Sequence, residues 1–203
     1  MYRVFILSLL IFSLPVQGLI SVAILLTSGF PVLFTQKRVG KNGKQFILIK
    51  FRTMRKGADQ MQKDLRQRNE ASGPAFKMRD DPRFTSFGKF LSHTGLDELP
   101  QLWNVLKGDM ALFGPRPLPV TEVKKLKTWQ RQRHTIKPGI ISPWILEEYH
   151  RTSFDNWMKS DIVYGKKKSF PYDVQLLVSS LGFMTRLMGR ELVRVLGFGK
   201  IDM

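Results

Sequence analysis

The chain has 203 residues, and its 33 lysines and arginines against 16 aspartates and glutamates give a formal charge of +17. So basic a balance indicates an anionic partner, namely nucleic acid, a phospholipid surface or a phosphorylated substrate, and composition does not choose among them. The lack of cysteine excludes disulfide scaffolds, thiolate metal sites and cysteine nucleophiles.

The N-terminal segment is apolar enough to enter a membrane. No charged side chain occurs from Val4 to Ser28, a run longer than the roughly 20 residues that cross a hydrocarbon core. The run also exceeds the ~7 to 15 residues of a signal-peptide core, and no small-residue cleavage site follows it. We predict a membrane-embedded helix over 1–30 and a domain over 31–203, whose many lysines and arginines place it on the cytoplasmic side.

A proline lies in the middle of this apolar run. Pro15 removes one helical hydrogen bond and presses on the preceding turn, so we predict a helix break at Ser13-Leu14-Pro15. Two topologies are open. The residues by themselves favour a kinked helix that spans the bilayer over one that bends and leaves on the face it entered.

Short elements are predicted after the membrane segment. Asn42-Gly43, flanked by β-branched and aromatic residues, predicts a β-hairpin. The polar stretch 55–71 predicts a solvent-facing helix. From residue 76 to 119, glycines interrupt helical spacing and predict short helices joined by tight turns: Gly88, Gly95, Gly108 and Gly114. The fold class is therefore α+β and mainly helical.

The C-terminal part of the chain is basic and amphipathic. Residues 121–137 are predicted to form one basic helix. From Asp173 onward apolar residues recur at helical spacing, with arginines toward the other side: Leu177, Leu181, Met184, Met188, Leu192 and Val195. This second helix either packs on the core or lies in a membrane interface, and the pattern leaves both open.

Two adjacent carboxylates, Asp97 and Glu98, lie in the apolar stretch LDELPQLWNVLKGDM. Thr94 and Asp97 have the spacing of a helix-capping box, which would explain one of the two acids. That explanation leaves Glu98 without a role, and Pro100 distorts the helix start so that both side chains can point at one site. In so positive a chain we expect the pair to stay ionised and to hold Mg²⁺ or supply a nucleophile.

Rigid cations are predicted to accompany the two acids. Lys50 and Arg52 are two residues apart in a strand and share a face, and Arg116 is fixed between two prolines. Guanidinium groups match phosphate oxygens. The exposed lysines at 124, 125 and 166–168 are expected to face water or lipid headgroups. In RDDPR, residues 79–83, the acids either begin a turn or contact substrate, and the residues leave both open. Together these features indicate phosphoryl transfer.

The sequence resembles the bacterial sugar transferases, also called monotopic phosphoglycosyl transferases. The resemblance rests on the blocks FTQKRVGKNGKQF, KFRTM, DDPRFTSFGKFL, LDELPQLWNVLKGDMALFGPRPL and KPG, which occur in this order between the membrane segment and Gly139. It is looser after Trp144. Among family members, the short stand-alone type is the one that the chain resembles.

The resemblance implies transfer of a sugar phosphate from a UDP-sugar to undecaprenyl phosphate, giving a polyprenyl diphosphate sugar and UMP. This reaction begins the assembly of exopolysaccharide, capsule, O-antigen or glycoprotein glycans. Asp97 would be the nucleophile that forms a covalent phosphosugar intermediate, Glu98 would assist, and both would bind Mg²⁺ as cofactor. The substrate-binding residues would be Lys50, Arg52, Arg83, Pro115 and Arg116. Arg83, or Lys89, is included because Ser92 and His93 stand where the family usually has arginine.

For topology, the resemblance implies a re-entrant helix broken at Ser13 and Pro15, which reverses the preference stated above. The catalytic domain would lie on the cytoplasmic face of the bacterial inner membrane, with amphipathic helices in the interface and phospholipid as a partner. Nucleic acid is not expected as a partner, and a homo-oligomer is left open. The alternative from another functional class is a membrane-tethered module that binds anionic lipid or nucleic acid, which does not require a pair of acids.

Overall fold

The structure is a computed structural model that describes residues 2–78, 80–144 and 153–195, with side chains described as far as Gly189. It is mainly helical, with an antiparallel hairpin and a small parallel strand pair. The hairpin is made by β1 (Leu33–Val39) and β2 (Gln45–Phe51), joined by a 3₁₀ turn at Lys41–Gly43. Asn42 and Gly43 adopt φ angles of 54° and 78°, which is the reason for this dipeptide in a tight turn. The predicted hairpin is confirmed.

The first helix, α1 (Tyr2–Ser28), is long and apolar enough to span a membrane or embed in one. It is one continuous helix that contains Pro15, so the predicted break does not end it. Polar side chains beside the proline bond within the helix. Ser13 Oγ donates to the Leu10 carbonyl at 2.8 Å, and Gln17 Nε2 donates to Ser13 Oγ at 2.9 Å. A single proline removes one hydrogen bond, and the turns on either side retain theirs.

Both ends of α1 pack on the rest of the protein. Ile6 is buried in an apolar cluster with Phe46, Leu48, Val105 and Met110. Ile20 and Ile24 are buried in a second cluster, with Phe51 and Leu91. At the α-helical rise, Ile6 and Ile24 lie about 27 Å apart. The opposite face of α1 is apolar and exposed, with Phe12 82% and Leu26 81% accessible.

Short helices follow the hairpin, as predicted. They are α2 (Ala58–Asp64), α3 (Ser86–Thr94) and α4 (Gln101–Lys107), with 3₁₀ turns at Leu65–Arg68 and Leu96–Glu98. Gly95 and Gly108 end α3 and α4 with φ angles of 71° and 87°. Gly88 was predicted to interrupt a helix and instead lies inside α3. A Cβ there would come within 1.9 Å of the Thr53 carbonyl oxygen, so this glycine permits close packing.

The predicted basic helix over 121–137 is wrong. The structure has a single turn, α5 (Val120–Val123), followed by an irregular stretch and a 3₁₀ segment at Trp129–Thr135. The side-chain oxygen of Gln130 accepts from Lys127 N at 2.7 Å and so takes a donor that an α-helix would use. Strands β3 (Ala111–Phe113) and β4 (Gly139–Ile141) pair in parallel on either side of this region.

The C-terminal helices are α6 (Phe154–Lys167) and α7 (Phe170–Val195). Leu176 of α7 is buried, whereas Leu177, Leu181 and Met188 of the predicted stripe are 40%, 53% and 43% accessible. The stripe is therefore largely outside the core. The side chains of Leu192 and Val195, and residues 145–152 and 196–203, lie outside the described residues.

Candidate active site

Asp97 and Glu98 lie on the 3₁₀ turn between α3 and α4. The capping-box explanation of Asp97 is not seen, because no side chain caps this turn and the Thr94 hydroxyl donates to the carbonyls of Phe90 and Leu91, at 2.9 and 3.2 Å. Gly95, with its left-handed backbone, lets the chain leave α3 and begin the turn at once. The two acids are therefore displayed by a tight connection between two packed helices.

Lys50 pairs with the buried carboxylate of Asp97. Its Nζ lies 3.2 Å from Asp97 Oδ2, and Asp97 is only 4% accessible. Burial raises the pKa of Asp97, the charge of Lys50 opposes this shift, and the neighbouring Glu98 adds to it. The sequence led us to expect that the positive field would dominate. Desolvation is the larger influence, because the turn is packed between two helices and β2.

Asn104 holds the strand that carries Lys50. Its Oδ1 accepts from Ile49 N at 3.1 Å and its Nδ2 donates to the Ile47 carbonyl at 2.7 Å, so a buried amide of α4 bonds directly to the edge of β2. Because α4 directly follows the turn that bears Asp97, this side chain fixes the strand and the turn to each other. Sequence reasoning missed Asn104, since a single asparagine in an amphipathic helix carries no local signal.

Arg116 pairs with Glu98 on the more accessible side of the site. Its Nη1 donates to Glu98 Oε1 at 3.0 Å, and the two side chains are 42% and 18% exposed. The loop of Arg116, residues 114–119, approaches the KPG motif closely. Gly114 N donates to the Ile141 carbonyl at 3.0 Å, and a Cβ at Gly139 would come within 2.1 Å of Gly114 N. Both glycines allow this backbone contact, and Pro115 is buried beside it.

Arg52 ties the end of α1 to β2. Its Nη2 donates to the carbonyls of Ser28 and Gly29, at 2.7 and 2.6 Å. The guanidinium is largely buried, and within the described part of the chain its Nε and Nη1 make no hydrogen bond. Lys50 thus lies beside the Asp97-Glu98 pair, the dyad, whereas Arg52 lies at the exit of α1.

Arg83 is engaged away from the two acids. It binds Asp81 through Nε and Nη2, donates to Gln62 Oε1 at 3.0 Å, and lies over the ring of Phe76. Asp81 Oδ1 also accepts from Arg83 N at 3.0 Å. This bond is typical of an aspartate that begins a turn, which is one of the two roles predicted for the acids of RDDPR. Among the described contacts, neither Arg83 nor Lys89 reaches Asp97 or Glu98; Lys89 pairs with Asp80 at 2.9 Å. Arg79 lies outside the described residues.

Two further cations, Arg38 and Lys77, lie close enough to Arg116 for its charge to lower their pKa values. Sequence reasoning singled out neither of them. Burial and, second, Arg116 lower the pKa of Arg38 to about 10. Burial lowers the pKa of Lys77 to about 8, with Glu70 opposing this shift and Arg116 adding to it. Lys77 Nζ also lies 5.5 Å from the centroid of the Trp157 ring. A cluster of cations around two carboxylates suits a ligand with several phosphate charges.

The carboxylates of Asp97 and Glu98 suit Mg²⁺ only when further oxygen ligands complete the coordination. Among the described residues, no group of three or more histidine, aspartate or glutamate side chains converges to hold a metal. Mg²⁺ is commonly held by one or two carboxylates together with substrate phosphates and water. Asp97 and Glu98 fit that donor set.

The chain is similar to a family of known proteins. The family model for bacterial sugar transferases matches residues 2–186. The chain is 44% identical over 154 residues to a galactosyl transferase CpsE of Streptococcus agalactiae, covering 75% of this chain and 34% of that protein. It is 33% identical over 165 residues to an undecaprenyl-phosphate galactose phosphotransferase of Salmonella typhimurium, covering 79% and 35%.

A shorter relative is a putative undecaprenyl-phosphate N-acetylgalactosaminyl 1-phosphate transferase of Bacillus subtilis, 45% identical over 105 residues and covered to 52% in both chains. The chain thus spans about a third of the length of the first two relatives, at 34% and 35%, and half of the third. The match of the family model runs from α1 into α7 and includes the dyad and every cation of the site. The chain therefore belongs to the bacterial sugar transferase family.

Proposed function

We propose that the protein transfers a sugar phosphate from a UDP-sugar to undecaprenyl phosphate, releasing UMP. The observation that carries the proposal is the buried Asp97 carboxylate held 3.2 Å from Lys50 Nζ, with Glu98 and Arg116 paired beside it. The names of relatives support both substrates, since they specify undecaprenyl-phosphate sugar phosphotransferases and, in Xanthomonas campestris, a UDP-glucose donor.

The reaction proceeds in two displacements at one phosphorus. A carboxylate oxygen of Asp97 attacks the β-phosphate, and as the new O–P bond forms, the bond to the UMP oxygen breaks and UMP leaves with the electron pair. An oxygen of the acceptor phosphate then attacks the same phosphorus and releases the Asp97 carboxylate. The polyprenyl diphosphate sugar is the second product.

The surrounding residues have distinct roles in these steps. Lys50 orients Asp97 and keeps a positive charge beside the nucleophile, while Arg116 binds the phosphoryl oxygens. Glu98 accepts the proton of the acceptor phosphate when that phosphate is singly ionised. Mg²⁺, held by Asp97 and Glu98 together with donor phosphate, would supply Lewis-acid stabilisation of the developing charge.

The acceptor is a phosphate at the end of a lipid chain, so its headgroup must meet the site at the membrane surface. We propose that Arg52 contributes to binding that headgroup. Its position at the exit of α1, with Nε and Nη1 making no hydrogen bond within the described residues, supports this role. For Arg83 the contacts with Asp81 and Gln62 support a structural role instead.

The membrane arrangement is also part of the proposal. Both Ile6 and Ile24 pack on the same domain, which supports an α1 that enters and leaves on one face rather than one that spans. The many lysines and arginines support the cytoplasmic face of the inner membrane. The exposed apolar stripe of α7 supports an interfacial position for that helix. The absence of a nucleic-acid partner, the homo-oligomer and the boundary at residue 30 stay predictions.

The test is UMP release from a panel of UDP-hexoses and UDP-N-acetylhexosamines, with undecaprenyl phosphate and Mg²⁺, by the purified protein in detergent. The panel is needed because relatives are named for galactose, glucose and N-acetylgalactosamine. We expect release with at least one donor and dependence on the acceptor for turnover. Folded protein that binds anionic vesicles but releases no UMP from any donor would favour a membrane-tethered binding module.

A further inference from the structure

The carbonyl groups of the loop that carries Arg116 accept hydrogen bonds from residues of other segments. Four consecutive carbonyls accept hydrogen bonds: Pro115 from Gly139 N at 3.0 Å, Arg116 from Arg133 Nη2 at 2.5 Å, Pro117 from Arg38 Nη1 at 2.8 Å and Leu118 from Val39 N at 3.1 Å. The prolines of this loop have no N–H to donate, so the loop depends on donors that other elements supply. The donor to Arg116 itself is a side chain.

That side chain is fixed by a buried carboxylate on α6. Arg133 donates through Nε to Asp161 Oδ2 at 2.8 Å, its Nη2 lies 2.6 Å from the same oxygen, and the side chains are 1% and 0% exposed. The guanidinium also lies over the ring of Trp144, with 5.8 Å between its carbon and the ring centroid. Arg133 therefore bridges two partners, the carboxylate of Asp161 and the backbone of Arg116.

A buried ion pair of this kind is a weak source of stability. Removing two charges from water costs several kcal/mol per ion, and apolar residues of similar volume often serve stability as well or better. Burial raises the pKa of Asp161 to about 6 even though Arg133 opposes the shift. An apolar pair in place of Arg133 and Asp161 could not donate a hydrogen bond to the Arg116 carbonyl.

We infer that Asp161 and Arg133 are positioning residues that set where Arg116, and through it the Glu98 carboxylate, meets the diphosphate of the donor. The pair touches neither reacting group and acts through the loop. Displacement of a phosphate-binding group by about 1 Å is enough to slow a reaction about 100-fold. The inference rests on the proposed function for its kinetic readout only.

The kinetic test is a double-mutant cycle with Arg116. Arg133→Gln and Asp161→Asn should each lower kcat/KM for the UDP-sugar about 10- to 100-fold. In an Arg116→Ala background the same changes should cost less than about 2-fold, because the group that they position is gone. If the two changes lower kcat/KM by the same factor in the Arg116→Ala background as in the wild type, the inference is overturned. The pair would then serve general stability.

A second readout does not depend on activity. Hydrogen exchange at Gly114 N, which donates to the Ile141 carbonyl, should accelerate in Arg133→Gln, while amides of α4 keep their protection. Arg133→Lys serves if the glutamine variant does not fold, because lysine keeps the charge opposite Asp161 without a planar fork for two partners. Unchanged exchange at Gly114 in both variants would overturn the inference, even for a protein that releases no UMP.

The matched control is Lys127→Gln. Lys127 pairs with Asp155 at 3.2 Å, so this change also removes an ion pair between the segment before β4 and α6, but an exposed one. We expect wild-type kcat/KM and wild-type exchange at Gly114, since surface pairs contribute little. An equal effect of Lys127→Gln would show that any weakening of the α6 contact acts on the loop, which would also overturn the specific role of Arg133.

Discussion

Asp97 combines burial, which raises its pKa, with a lysine whose charge opposes that rise. A carboxylate removed from water loses the hydration that would otherwise shield it from an incoming phosphate. Lys50 is therefore as much a part of the site as the two acids. This arrangement costs stability, since the folded state holds a carboxyl group in a poorly hydrated place.

Asp97→Asn should abolish UMP release and the covalent sugar-phosphate adduct, because an amide cannot form the acyl phosphate. Glu98→Gln should slow turnover while the adduct still forms. Intact-protein mass spectrometry after incubation with donor alone measures the adduct. Asp109→Asn is the control, since Asp109 pairs with Lys107 on the surface. Wild-type turnover in Asp97→Asn would contradict the mechanism.

His134 gives a pH dependence of stability that can be isolated by mutation. Burial and, second, Arg133 lower its pKa to about 4 from an ordinary 6.5, against a hydrogen bond with Gly40. Between about pH 6.5 and 4, His134 is protonated in the unfolded chain and neutral in the folded chain. The free energy of unfolding therefore decreases as the pH falls through this range. Melting temperatures of wild type and His134→Gln should diverge at low pH, with the wild type losing more. Parallel curves would contradict the assignment.

The elements around the site are joined by close backbone approaches. Gly88 places α3 against the Thr53 carbonyl, and Gly114 and Gly139 place the Arg116 loop against the KPG motif. Asn104 performs the same function through a side chain, by bonding α4 to the edge of β2. The glycine contacts are between backbones, so α3 and the Arg116 loop come closer to their neighbours than a side chain at those points would allow.

Gly88→Ala should destabilise the protein by about 1 to 3 kcal/mol, because the new methyl must push α3 away from a rigid carbonyl. Gly182→Ala is the matched control. It also lies inside a helix, α7, and has nothing within 4 Å of an added Cβ, so helix propensity should make it neutral or stabilising by about 0.5 to 1 kcal/mol. Thermal unfolding in detergent measures both. Equal effects at the two positions would contradict the packing role of Gly88.

At the scale of the whole molecule, two helices expose apolar faces and the chain is strongly basic. The outer face of α1 and the stripe of α7 supply the apolar surface, and the +17 charge favours anionic lipid. Arg52 connects α1 to the site, because it bonds the end of α1 to the strand that bears Lys50. In the proposed membrane arrangement, the site would lie within reach of a phosphate that a membrane presents.

The topology can be tested with single cysteines, because the chain has none of its own. Arg3→Cys, at the start of α1, and Asn42→Cys, in the hairpin turn, should both resist a membrane-impermeant maleimide in intact cells. Both should react after permeabilisation. Reaction of Arg3→Cys alone in intact cells would mean that α1 spans the bilayer, and reaction of both would place the domain outside.

Local patterns in the sequence determined the apolar first helix, the hairpin at Asn42-Gly43, the helix ends at Gly95 and Gly108, and the prominence of the Asp97-Glu98 pair. Each of these depends on neighbours within a few residues, through hydrophobic length, turn conformation or an unusual charge. Of the predicted cations, Lys50 and Arg116 do meet the two acids.

Only the tertiary structure decided which partners the other polar groups have. In the folded protein, Arg83 pairs with Asp81, and Asn104 bonds to β2. Arg133 pairs with Asp161 and donates to the Arg116 carbonyl. The tertiary structure also replaced a predicted helix over 121–137 with a 3₁₀ segment and made burial the main influence on Asp97. These outcomes depend on contacts between residues far apart in the chain, and desolvation and ion pairing are properties of the packed molecule, which no local pattern encodes.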